Sequence, residues 1–179
     1  VRYAEMWRLL MALAIAGWAA SSCGQEALRP VSVEVIAGAG RANLEGAQPE
    51  YRGGFAAASF TFPLDRRNRS GNLSWQIEPS VGAEEDGSSV EAAVAVFLRY
   101  GWPGRVSPYV KVGTGPYYTS RTTEEQSTRF NFASSVAAGL QIDRFLVECR
   151  LRHVSNAGIS EPNGGINTTF LLVGFSHRF

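Results

Sequence analysis

Beyond residue 24 the chain has no uninterrupted apolar stretch of the roughly 20 residues that a membrane-spanning helix needs, which excludes a helical membrane protein. Charge of one sign is also missing. Seventeen Lys and Arg stand against sixteen Asp and Glu, for a net charge of +1. That balance argues against a nucleic-acid footprint and against a polybasic membrane patch. Cysteine occurs only twice, at Cys23 and Cys149, too few for a disulfide framework. With 179 residues, a single domain is the natural expectation. What the chain does have is turn and ring: 19 glycines, and aromatics at 11 % of residues. That mixture suits an all-β protein with many tight corners.

The first 24 residues read as a targeting segment. Arg2 and Arg8 precede an apolar run from Leu9 to Ala20, and the small residues Ser21, Ser22 and Gly24 follow. This order predicts a secretory signal peptide over 1–24, leaving 25–179 as the mature domain. Ala20-Ser21-Ser22-Cys23 loosely resembles a lipoprotein cleavage box, in which Cys23 would be acylated, but the large aliphatic residue three positions before the cysteine is missing. Ordinary cleavage near Ser22 or Gly24 is the alternative, and it leaves Cys149 as the mature cysteine.

The remainder alternates with period two. Between 72 and 83, Leu73, Trp75, Ile77, Pro79 and Val81 fall on one face, and Asn72, Ser74, Gln76, Glu78 and Ser80 on the other. The same sorting recurs at 90–100, 108–118, 130–142 and 145–152, and with 31–39, 55–64 and 168–179 it predicts eight strands. A soluble sandwich turns its polar faces to water, whereas a small membrane barrel turns its apolar faces to lipid and fills its interior with polar side chains. The polar positions mix Glu34, Glu78, Glu91 and Glu148 with Arg99, Lys111, Arg150 and Arg152, a set able to pair inside a barrel. Two features favour the barrel. Phe179 ends an alternating last strand beside Phe175, Val173 and Leu171, resembling the signal read by the outer-membrane assembly machinery. Asp143-Arg144 makes a two-residue hairpin while 156–166 is a long loop, matching short periplasmic turns and longer outer loops. The expected fold is an eight-stranded antiparallel up-and-down transmembrane β-barrel.

A barrel that starts in the periplasm sends its odd strands outward, so the seventh strand carries His153 and Ser155 to its outer end. Two residues apart, they project to one face, shared with Leu151 and Cys149, which is the lipid face. Asn167 has the parity of Leu171 and Val173 and lies where the return strand begins, beside that pair. Nucleophile, base and orienting group thus fall in one patch. A His and a Ser two apart on a strand also arise by chance, so spacing alone does not establish catalysis.

The full string His153-Val154-Ser155-Asn156-Ala157-Gly158, followed by Pro162-Asn163, resembles the active-site segment of the lipid A 3-O-deacylases of the PagL type. Arg150, Phe130-Asn131-Phe132 and Pro108-Tyr109-Val110 add to the likeness. The resemblance implies an outer-membrane serine esterase of the bacterial cell surface, with Ser155 as nucleophile and His153 as general base. It implies Asn163 and the Gly158 N–H as oxyanion donors beside Asn156, and needs no metal or cofactor. The implied substrate is the ester-linked 3-hydroxyacyl chain at position 3 of lipid A, in the outer leaflet. One position departs from the pattern: the family's glutamate is Asn167 here. An amide orients histidine without balancing its charge. Glu161, in the loop, is the carboxylate available to substitute, since Glu148 faces the other side. A non-catalytic small barrel with an adhesive or structural role is the alternative reading, and a narrow pore is disfavoured because eight strands leave an interior that side chains fill.

Overall fold

The computed structural model describes residues 29–42, 52–64, 72–123, 126–161 and 163–179. Eight antiparallel strands close into one barrel in simple sequence order: β1 (Ser32–Ala42), β2 (Arg52–Pro63), β3 (Asn72–Glu84), β4 (Val90–Gly101), β5 (Val106–Thr119), β6 (Phe130–Ile142), β7 (Phe145–Ser155) and β8 (Ile166–Arg178). β8 returns to pair with β1, from Ser32 opposite Arg178 to Ala42 opposite Thr168, so no sheet edge is left open. Strands of 11 to 14 residues rise about 3.3 Å per residue, enough to cross a hydrocarbon layer of about 30 Å when tilted. All eight expected strands are present. Their ends agree within three residues, and where a strand runs longer than expected, backbone pairing continues past the point where side-chain alternation stops.

Side chains are distributed inside out. Val112 is 50 % and Val136 59 % exposed on the outer wall, as are Val35, Leu151 and Leu171. The eight charged residues singled out above all point inward and are buried. Glu78 accepts from Lys111 Nζ at 2.9 Å, from Ser59 Oγ at 2.6 Å and from both terminal nitrogens of Arg150. Glu148 pairs with Lys111 at 3.1 Å and Arg150 at 2.6 Å, and accepts from the Tyr109 hydroxyl at 2.9 Å. Arg152 forks onto Glu91 at 2.7 and 2.9 Å, while Arg99 stands 3.7 Å from Glu34. Phe55, Phe97 and Phe170 supply ring faces to these guanidinium groups. In a dry interior such charges are tolerated only when paired and hydrogen-bonded, so the polar network is the core of this barrel. An exposed apolar wall around a charged centre is the arrangement of a lipid-embedded barrel and the reverse of a soluble one.

The shortest turns and the longest loops of β4 to β8 lie at opposite ends. β4 to β5 and β6 to β7 connect through 102–105 and 143–144, the latter with Asp143 at φ 54°. At the opposite end, 120–129 and 156–165 form longer loops. Residues 1–28 are outside the described residues, and so therefore are the expected signal peptide and Cys23. Cys149 is a free thiol on the outer wall.

Candidate active site

His153 and Ser155 occupy the last turn of alternation on β7, at the end of the barrel that carries the long loops. Register decides what lies beside them. β7 and β8 pair His153 directly with Asn167, and β6 sets Ser134 opposite His153 and Phe132 opposite Ser155. Directly opposed residues on one face lie close enough for side-chain contact, and here contact is made: His153 Nδ1 and Asn167 Oδ1 are 2.8 Å apart. With the amide oxygen accepting, the proton sits on Nδ1 and the lone pair on Nε2, the tautomer a general base requires. Ser155 is buried at 7 % exposure, and His153 is half-buried. Among the described residues no hydrogen bond joins His153 to Ser155, a looseness common in sites without bound substrate.

The loop after β7 is built around Asn156, which is buried. Its N–H donates to Asn163 Oδ1 at 3.0 Å, and its Oδ1 accepts from the Gly158 N–H at 2.9 Å. Its Nδ2 donates to the Ser160 carbonyl at 2.7 Å and to Ser127 Oγ at 3.3 Å. Ala157 and Gly158 both take positive φ, 57° and 79°, and the Ile159 N–H closes on the Asn156 carbonyl at 3.1 Å. Two successive positive φ angles with that closing bond make a tight turn of the mirror-image kind, in which asparagine caps its own turn. Asn156 is therefore an organiser of the loop, its side-chain polar atoms used within it and on Ser127 of the loop between β5 and β6. The Gly158 N–H, expected to face an oxyanion, is instead committed to Asn156. Among the described residues only the oxygen of the Asn163 side chain is engaged, by the Asn156 N–H, which leaves its N–H groups as donors. Pro162 lies outside the described residues. Glu161 is exposed, and the partner His153 has is Asn167.

Two further residues shape the site without having been foreseen. Gly165 sits at φ 72°, and a Cβ there would stand 2.6 Å from His153 Cε1 and 3.1 Å from Nε2. Only glycine leaves room for the ring at its basic edge. Gln126, from the loop between β5 and β6, is buried, bridges to Asn163 through the backbone and donates to the Val154 carbonyl at 3.4 Å. The doublet Gly164-Gly165 just before the last strand was a visible signal. Gln126 carried none, since its neighbours come from another loop.

Comparison with known proteins bears on this geometry in three ways. The family model described as lipid A 3-O-deacylase (PagL) matches residues 56–176, most of the barrel including the His153–Asn167 pair. Among solved structures, the outer-membrane enzyme PagL superposes with a TM-score of 0.62 at 22 % identity, covering 80 % of this chain and 97 % of that one. Neisserial surface protein A superposes with a TM-score of 0.55 at 14 % identity, covering 83 % and 96 %. At those identities the likeness speaks for the eight-stranded outer-membrane barrel. A comparison with curated protein sequences found no match. The family model spans more than half of the chain and the fold agrees with it, so this protein of the bacterial outer membrane belongs to the lipid A 3-O-deacylase family.

Proposed function

We propose that this barrel is a serine esterase that removes the ester-linked 3-hydroxyacyl chain at position 3 of lipid A, with Ser155 as nucleophile and His153 as general base. The observation that carries the reading is the His153–Asn167 hydrogen bond on the outer wall, with Ser155 two residues along the same face. A soluble hydrolase hides such a group in a cleft. Here strand parity sets it on the outward side, toward the layer in which a glycolipid's acyl esters lie.

The chemistry follows from the tautomer. Asn167 holds Nδ1–H, so Nε2 accepts the Ser155 proton as Oγ attacks the ester carbonyl. The carbonyl oxygen becomes an oxyanion, for which Asn163 Nδ2 is the donor we assign. Collapse expels the sugar hydroxyl, which takes the proton from His153, and leaves the acyl group on Ser155. Water arriving from the headgroup side then gives its proton to Nε2 and attacks the acyl-enzyme, and Nε2 hands that proton to Ser155 Oγ as the fatty acid leaves. Each half-reaction returns His153 to its starting state, and the side chains present supply every proton transfer.

Mass spectrometry of lipid A from cells expressing the wild-type chain, beside Ser155→Ala, tests this. Loss of one 3-hydroxyacyl group with the wild type alone is the expected result. An unchanged spectrum, with heat-modifiable gel mobility showing the barrel folded, sinks the reading and favours a non-catalytic surface barrel.

A further inference from the structure

The outer wall of β3 to β6 is built from aliphatic, aromatic and proline side chains, with two exceptions. Thr114 on β5 and Ser134 on β6 face the same way as Val112 and Val136, and their hydroxyls are 3.1 Å apart. Register places them in one row with the site: Thr114 pairs with Ser134, Ser134 with His153, and His153 with Asn167. The row is also a descent. Asn167 is the second residue of its strand, His153 the third from the end of β7, Ser134 the fifth of β6 and Thr114 the sixth from the end of β5. A hydrogen-bonded row in a tilted barrel moves along the wall in this way, so a polar track runs from the rim at Asn167 down into the acyl region.

Hydroxyls on a lipid-facing wall are a cost, since nothing in hydrocarbon replaces the water they lose. Cross-strand pairing meets part of it. Two hydroxyls hold two donor hydrogens, and one bond between them uses a single hydrogen, leaving one that this bond does not use, with lone pairs beside it. Valine at both positions would match the neighbouring rows and avoid the cost altogether. The pair therefore suits a ligand that brings a hydroxyl into the acyl layer.

Distance identifies which hydroxyl. Ser134 lies diagonally from Ser155, a cross-strand spacing of about 7–8 Å. A carbonyl at attack distance from Ser155 takes up about 3 Å of that. Two more carbons lead to a hydroxyl at the chain's third position, and a hydrogen bond of about 2.8 Å completes the span. Building on the deacylase reading above, we propose that the Ser134–Thr114 pair receives the β-hydroxyl of the scissile acyl chain and so selects 3-hydroxyacyl esters over unsubstituted ones. Ser134 makes the contact, and Thr114 orients its hydroxyl.

The test uses the full-length barrel, folded in detergent, and two glucosamine 3-esters that differ only in the β-hydroxyl of the chain. The quantity read is the ratio of kcat/KM for the hydroxylated ester to that for the plain one. Wild type is expected to favour the hydroxylated ester, and Ser134→Ala to lower the ratio about tenfold, the worth of one hydrogen bond. Ser134→Thr keeps a hydroxyl and should keep most of the preference, while Thr114→Val should give an intermediate loss. A wild-type ratio near one, or a ratio unmoved by Ser134→Ala even where both rates fall, overturns the assignment and leaves the deacylase reading standing. Hydrolysis of neither ester by the wild type sinks both together.

Discussion

Asn167 holds His153 at 2.8 Å through the nitrogen that must carry the proton, which supplies orientation without charge. In the proposed attack His153 becomes imidazolium, which a carboxylate would stabilise and an amide does not. Two substitutions separate these contributions. Asn167→Ala removes the orienting bond, and kcat should fall about tenfold, the value of a hydrogen bond of about 1–1.5 kcal/mol. Asn167→Glu sets a carboxylate against Nδ1, and kcat should rise above wild type by about tenfold or more. Steady-state assays on a soluble acyl ester read both, and a rise in the alanine variant would remove Asn167 from the mechanism. Gly165 acts on the same ring from its other edge. Gly165→Ala strains a φ of 72° by about 1–2 kcal/mol and sets a methyl group against Cε1. Activity should drop with little change in substrate KM, because the ring is displaced and the lipid-facing wall is not.

At the scale of elements, β7 presents two opposite chemistries on its two faces. Glu148, Arg150 and Arg152 face the interior network, whereas Val147, Leu151 and His153 face outward, so one strand carries both the buried ion pairs and the proposed general base. The loop that follows is a separate unit held by Asn156 and backed by Gln126 from the neighbouring loop. Because those bonds lie beyond the ladder, the loop is able to fail while the barrel stands. Asn156→Ala is expected to lower kcat by about tenfold to a hundredfold, the loss of one or two loop-holding bonds. The variant's heat-modifiable gel mobility should match wild type. A variant that no longer folds would instead make Asn156 part of the barrel's own stability.

For the molecule as a whole, stability rests on the charged interior. Glu78 is bonded by Lys111, Arg150 and Ser59, and removing its charge leaves two cations sharing Glu148. Glu78→Gln should cost about 3–5 kcal/mol, as expected for one partner withdrawn from a buried ionic cluster. Urea unfolding in lipid vesicles, followed by tryptophan fluorescence, measures it. Adding Lys111→Met to the same chain should recover part of the loss, and strict additivity of the two would dissolve the idea of a coupled cluster.

Alternation along the chain was enough to establish eight strands and to sort the eight charged residues onto one face and Val112, Val136 and Leu171 onto the other; the aromatic last strand and the turn lengths were needed to say which face points inward. Side chains on a strand have a period of two, and lipid admits only apolar ones. Parity also brought His153, Ser155 and Asn167 to one face. Parity says nothing about which loop leans on which, or which lone pair a backbone N–H meets. The tertiary structure decided that Asn156 uses up the Gly158 N–H, that Gln126 reaches Asn163, that Gly165 abuts the histidine ring and that Ser134 and Thr114 complete the row. Those relations depend on barrel closure and register, which join residues far apart in sequence. Local chemistry along one strand carries no record of them.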